Sequence, residues 1–175
     1  MMSMNYYKRN SVINLNVDDE LIQPHIIKAQ NMNMERILGT NLFNKVLTDI
    51  SSGSVSGDTK TLLEDYIQPA LVEWTTYQAL PYLNYKITNK SVSKKFSDNS
   101  DYSELNEINY LKTNIRNDAE YLSDRLTSFL KADNGLLYPE YIKGNVDCDD
   151  ITPKRKNFFS GIYLTGNDDY DCKYC

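Results

Sequence analysis

Apolar residues recur at helical spacing in three stretches of this chain, and polar runs separate them. The first stretch is 17–50, VDDELIQPHIIKAQNMNMERILGTNLFNKVLTDI. There Leu21, Ile22, Ile26, Ala29 and Met32 or Asn33 step by three and four, as one face of a helix requires. Asp18, Asp19 and Glu20 stand at its start, where the helix dipole favours negative charge. Pro24 fits the first turn or a kink. Gly39 interrupts the pattern, and Leu42, Phe43, Val46, Leu47 and Ile50 resume it. The next eight residues, SSGSVSGD, hold two glycines and four serines, which predicts a loop.

The second stretch, 59–83, is the most apolar. Leu63, Tyr66 or Ile67, Ala70, Trp74 and Tyr77 trace one stripe, and Leu62, Leu71 and Leu80 widen it. That breadth predicts a central helix with neighbours on two sides. Pro69 removes a backbone donor mid-pattern and predicts a kink, and Pro81 marks the approach to the end. The third stretch, 101–132, predicts the longest helix, roughly 45 Å at 1.5 Å per residue. Its seam is Leu105, Ile108, Leu111, Ile115, Ala119, Leu122, Leu126 and Phe129, with Asp101 or Ser103 as N-cap. Asp118, Glu120, Asp124 and Arg125 lie off the seam, and Asn134–Gly135 reads as a left-handed cap.

Between the second and third stretches, 84–97 changes character. Ile87, Val92 and Phe96 suit strands, and four lysines (Lys86, Lys90, Lys94, Lys95) stand there without an acid. A small exposed β-hairpin is expected. Residues 1–16 are polar with scattered aromatics and read as a flexible or partner-docked arm. Residues 135–175 have little periodicity and are too polar for a core of their own, so they read as an extended tail, disordered or ordered by a partner. The expected fold is therefore mainly α: a bundle of about four helices over 17–134, with a small β-hairpin and an extended C-terminal tail. At 175 residues the chain suits one domain.

Charge and composition narrow the function. The net charge of −5 and a pI near 4.9 argue against a dedicated nucleic-acid binder, though an acidic surface would let DNA slide past without sticking. Over Asp101–Asp133 seven acids face four bases, which counts against a recognition helix. The mean hydropathy of −0.56 fits a thin domain that hides part of itself against neighbours. Fourteen tyrosines suit half-buried or interfacial positions, with a compositional bias shared with asparagine as the plainer explanation. No run approaches a membrane span, and the N-terminus lacks a secretory apolar core.

Candidate chemistry is sparse. The one histidine, His25, has no nucleophile signature with it, so a structural or surface role is expected. Cys172 and Cys175 form a C-x-x-C, and Cys148 lies upstream. Unliganded thiols are favoured there over zinc and over a disulfide, because two thiolates supply half of a structural zinc site. Asp147, Asp149 and Asp150 miss the calcium-loop pattern, and Asp168, Asp169 and Asp171 read as solvated charge. Gly53 and Gly57 do not precede the Lys-Ser/Thr of a phosphate loop. No catalytic residue, cofactor or metal is expected. Docking is the more informative reading. Lys86, Lys90, Lys94 and Lys95 would meet an acidic partner or passing phosphates. In the tail, Lys154, Arg155, Lys156, Phe158, Phe159, Ile162, Tyr163 and Leu164 suit strand addition or a groove-docked peptide. A solvated face and a disordered tail are the plainer readings.

The order of these elements resembles a known family. VDDELIQPHIIKAQ and ILGTNLF lead through a polar loop to YIQPALVEW and QALPYL. A basic segment, TNKSV, then leads to a long helix beginning SELNEINYL. Across roughly 12–134 this looks like the head–tail connector (adaptor) proteins of tailed bacteriophages, especially crAss-like and related Bacteroidetes phages. Ile37-Leu38-Gly39 and Ile67-Gln68-Pro69-Ala70-Leu71 carry most of the match. The resemblance implies a non-enzymatic virion protein at the neck, made in the host cytoplasm. It implies a commonly twelve-membered homo-oligomeric ring seated on the portal protein, a next ring or tail protein as partner, and DNA passing through the channel without sequence-specific binding. A small cytosolic helical regulator or DNA-binding protein is the rival reading, and an enzyme with a metal held by the cysteine-rich end is a more distant one.

Overall fold

A computed structural model describes residues 1–13, 15–87, 92–94, 105–132, 137–142 and 151–153. The described residues are mainly α-helical. A short helix α1 (Met4–Asn10) comes first, capped by Ser3, whose hydroxyl accepts from the Tyr6 amide at 3.2 Å. Helix α2 (Asp19–Ala29) passes through a π turn (Gln30–Met34) into α3 (Glu35–Leu38). Gly39 breaks the run, and α4 (Thr40–Ser51) follows. Helix α5 (Gly57–Thr61) enters a second π turn (Leu62–Ile67), which continues as α6 (Gln68–Asn84). Helix α7 (Leu105–Lys131) is about 40 Å long at 1.5 Å per residue, and a single turn, α8 (Pro139–Ile142), comes after it.

Helix α6 is the axis of the packing. It packs against both α2 and α7. Leu71, Val72, Thr75, Thr76 and Ala79 are all buried, so one broad face of it is enclosed. The two neighbours expected of the second stretch are present. Around it, Leu38, Leu42, Leu62, Ile67, Leu126 and Leu130 fill one large apolar cluster with Leu71. Tyr66 and Phe129 stack beside it at 4.0 Å between ring centroids. A smaller cluster joins Tyr7, Ile13, Ile22 and Ile26 to Val72 and Ala79.

The π turns explain two departures from the sequence pattern. In each, one amide reaches back five residues, Glu35 to Gln30 and Gln68 to Leu63. The extra residue rotates everything beyond it by about one position. Hence Met34 falls into the core, whereas Met32 is exposed and Asn33 only partly covered. The second π turn ends directly before Gln68 and Pro69, where proline already interrupts the ladder.

The seam of α7 follows the expected stepping at Ile108, Ala119 and Leu126. Leu111 departs from it and is half exposed, and Leu130 takes a buried place. The first residues also differ from the arm their polarity suggested. Tyr7 is fully buried, and its hydroxyl lies 3.1 Å from the buried Thr76 Oγ1. Lys8 straps the next segment, donating to the Leu15 and Val17 carbonyls and pairing with Asp19 at 2.6 Å.

Tyr85–Ile87 and Val92–Lys94 pair antiparallel, Tyr85 opposite Lys94 and Ile87 opposite Val92. The expected N-caps Asp101 and Ser103 and the cap at Asn134–Gly135 lie outside the described residues.

Candidate interaction surfaces

Most residues singled out as docking candidates fall outside the described structure. Lys154, Arg155, Lys156, Phe158, Phe159, Ile162, Tyr163 and Leu164 do, and so do Lys90, Lys95 and the three cysteines. Lys86 and Lys94 lie on the paired segments, at register positions opposite Ser93 and Tyr85. Among the described residues, no three His, Cys, Asp or Glu side chains approach closely enough to hold a metal ion. No helix among them is long and apolar enough to cross a membrane.

The tertiary structure assembles three features instead. The first is a clip at the corner between α3 and α4. Gly39 has φ 75° and ψ 153°, a conformation almost confined to glycine. A Cβ placed there would lie 2.7 Å from Pro153 Cδ. The Thr40 amide donates to Ile151 O at 3.0 Å, and the Ile151 amide donates to Thr40 Oγ1 at 2.8 Å. The Thr40 hydroxyl in turn donates to Glu35 Oε1 at 3.1 Å. One open amide at the start of α4 is thereby satisfied by a residue far along the chain. Sequence reading found Gly39 as a break. Nothing in the local pattern announced its partner at Pro153.

The second feature is a trough of about 680 Å³ between α3 and α7. Asn33, Arg36 and Ile37 line one wall, and Glu120, Asp124 and Lys131 line the other. Trp74 and Tyr141 also line it. Trp74 was expected within the core stripe; here it is half-buried, and its indole N–H donates to Ser123 Oγ at 2.9 Å. Asn33 Oδ1 is buried without a hydrogen-bond partner. Arg116 holds Glu120 at 2.7 Å from beyond the trough.

The third feature is a pair of exposed apolar strips. Leu21, Ile27 and Met32 form one, on α2 and the π turn that follows it, with Ile27 53 % exposed. Tyr110, Leu111 and Tyr121 form the other, on α7, with Tyr110 68 % and Tyr121 71 % exposed. Both helices pack against α6, so the strips stand on two separate helices.

Titratable groups are perturbed mainly by burial. His25 stacks on Tyr82 at 4.8 Å, and burial, with Lys28 adding to it, lowers its pKa. Glu73 is pushed up by burial and then by Asp118. Tyr138 is pushed up to about 12 by burial first, then by the nearby Asp58 and Tyr66; its hydroxyl donates to Asp58 O at 2.8 Å. Each has a structural neighbour that accounts for the shift. They do not converge on a common cleft.

A family model described as a family of unknown function, DUF6712, matches residues 34–151, about two thirds of the chain. The chain belongs to DUF6712. The DUF6712 region begins inside the first π turn and ends at Ile151, so it takes in Gly39, Thr40 and their hydrogen-bonding partner. It also takes in every residue that lines the trough, except Asn33. Helices α1 and α2 and residues 152–175 lie beyond it. No curated protein and no solved structure matches the chain.

Proposed function

We propose that this chain is a structural subunit of the head–tail adaptor ring of a tailed bacteriophage. The observation that carries the reading is the pair of exposed apolar strips on two separate helices packed on α6, Leu21–Ile27–Met32 and Tyr110–Leu111–Tyr121. A closed ring of identical subunits needs two different patches on each copy, because its contacts are head-to-tail. Tyrosine suits such a seam, burying a broad ring while keeping a polar tip in water. In this reading a bundle of about four helices carries the lateral contacts. A basic hairpin over 84–97 and the extended tail meet the portal protein and the next ring. The net charge of −5 keeps DNA moving through the channel. The protein then works by assembly, and chemistry on a bound molecule plays no part.

The test is the mass of the full chain in solution, alone and with portal protein. The reading expects a discrete closed oligomer of about twelve copies that binds portal. Tyr110→Glu with Tyr121→Glu should break that oligomer into monomers that keep their helical content. A wild-type chain that stays monomeric at micromolar concentration and ignores portal would overturn it.

A further inference from the structure

Trp74 lines the trough half-buried, and its ring is fixed by two neighbours. The indole N–H is spent on Ser123 Oγ at 2.9 Å, and Tyr77 packs at 88° to the ring, 5.7 Å between centroids. What the indole still offers a ligand is apolar ring surface, held in place before anything binds. Ile37 adds aliphatic surface from α3. A space of about 680 Å³ with an aromatic wall and a few polar groups has the size and make-up of a small-ligand site.

The polar groups decide what kind of ligand fits. Arg36 on one wall and Lys131 on the other are cations, while Glu120 and Asp124 are carboxylates one turn apart on α7. Arg116 holds Glu120, and no ion pair among the described residues engages Arg36, Asp124 or Lys131. A strongly charged ligand of either sign therefore meets its own sign somewhere along the lining. The Thr127 and Ser128 hydroxyls donate to carbonyls of their own helix at 2.9 and 2.8 Å, so toward the trough they only accept. Arg36 and Lys131 only donate. Asn33 Oδ1 is buried without a donor. The lining thus suits an uncharged ligand whose groups both donate and accept, and which has an apolar face. A sugar has all three properties: each hydroxyl does both, and the C–H groups on one face of a pyranose lie flat on an indole.

We propose that the trough is a binding site for a linear oligosaccharide, with one sugar ring laid on Trp74 and its hydroxyls shared between Arg36 on one wall and Asp124 on the other. Hydrogen bonds from a guanidinium or to a carboxylate are strong without a counter-charge on the ligand. A ligand hydroxyl turned to Asn33 supplies the donor it lacks. Along α7 the lining runs from Glu120 to Lys131, about 16 Å at 1.5 Å per residue, which is longer than a single sugar ring. The site therefore favours a chain over a monosaccharide. This goes beyond the ring reading and does not depend on it, since no residue of the two exposed apolar strips lines the trough.

Trp74 is the only tryptophan, so its fluorescence in the full chain reports on the trough. The probes are linear hexasaccharides of glucose, galactose, mannose and N-acetylglucosamine. At least one should give a saturable blue shift with a Kd of about 1 mM or below. Because the ligand is neutral, the shift should be the same at low and high salt. Arg36 and Asp124 are exposed, so Arg36→Ala and Asp124→Ala should keep the helical content and each weaken binding about tenfold. Tyr110→Ala, outside the trough, should bind as the parent does. Silence toward every hexasaccharide would overturn the proposal, as would binding undiminished in both the Arg36 and Asp124 variants, which would put the sugar elsewhere. A shift given instead by oligolysine or oligoglutamate and lost at high salt would assign the trough to a charged polypeptide, which also overturns it.

Discussion

The two apolar clusters flank the same helix yet are built differently. The larger one, around Leu38, Leu42, Leu62, Ile67, Leu71, Leu126 and Leu130, is filled mainly by aliphatic side chains of the periodic stretches, joined by Phe43, Tyr138 and Tyr141. The smaller one is closed by Tyr7, which comes from outside the periodic stretches and needs a hydroxyl partner, Thr76, to be buried at all. A buried phenol without a partner would be penalised, so the fit depends on one polar pair. The large cluster shows how far periodic burial carries a core, with Tyr138 and Tyr141 added from outside the periodic stretches. The small one shows how a polar segment is recruited when one aromatic finds both a cavity and a partner.

Leu71→Ala should give the largest effect, because α6 serves both clusters. The expected loss is about 2–5 kcal/mol in denaturant unfolding, with one cooperative transition. A smaller loss, or separate transitions for the two clusters, would mean that α6 does not unite them. Gly39→Ala tests the clip at the far side of the large cluster. It forces a side chain into a glycine-only conformation and against the Pro153 ring, and should lose roughly 1–3 kcal/mol. Native-state hydrogen exchange should show the Ile151 amide opening in this variant, and an unchanged Ile151 would remove the clip from the account.

Tyr7→Phe isolates the polar pair of the small cluster. It should lose about 1 kcal/mol, confined to the amides of α1 and its contacts with α6. A neutral outcome would make ring burial sufficient and end the contrast between the clusters. The smallest effect belongs to Glu73. Its folded pKa is raised, so it favours the folded state at low pH, and that contribution is lost as pH rises from the ordinary value of 4.5 through the raised one. Glu73→Gln should therefore flatten the fall in melting temperature across that window and raise it slightly at neutral pH. His25 has the opposite sense. Its lowered pKa stabilises the fold above the ordinary 6.5 and loses that contribution as pH falls below it.

Much of the helical plan was legible from the residues. The broad stripe of 59–83 marked α6 as central, and the stepping from Ile108 to Leu126 marked the inner face of α7. Gly39 was legible as an interruption. The shift from Met32 or Asn33 to Met34 was not, because a π turn leaves no signature in apolar spacing until the core has chosen which residue to accept. Of the candidate sites, the lysines of 84–97 and the tail were read from composition. The clip, the trough and the paired strips were not, since each joins residues from separate stretches.

By itself the sequence determined that its three long stretches are helical, which face of each is mainly apolar, and where glycine and proline interrupt them, because those are local matters of periodicity and backbone freedom; it did not announce α1 or α8. Only the tertiary structure decided that Tyr7 enters the core, that Ile151 seals the start of α4, and that Trp74 stands in the wall of a trough. Those outcomes depend on hydrogen bonds and contacts between residues tens of positions apart, 111 in the case of Thr40 and Ile151. A local pattern carries no record of such partners, because their energy exists only once the helices have packed.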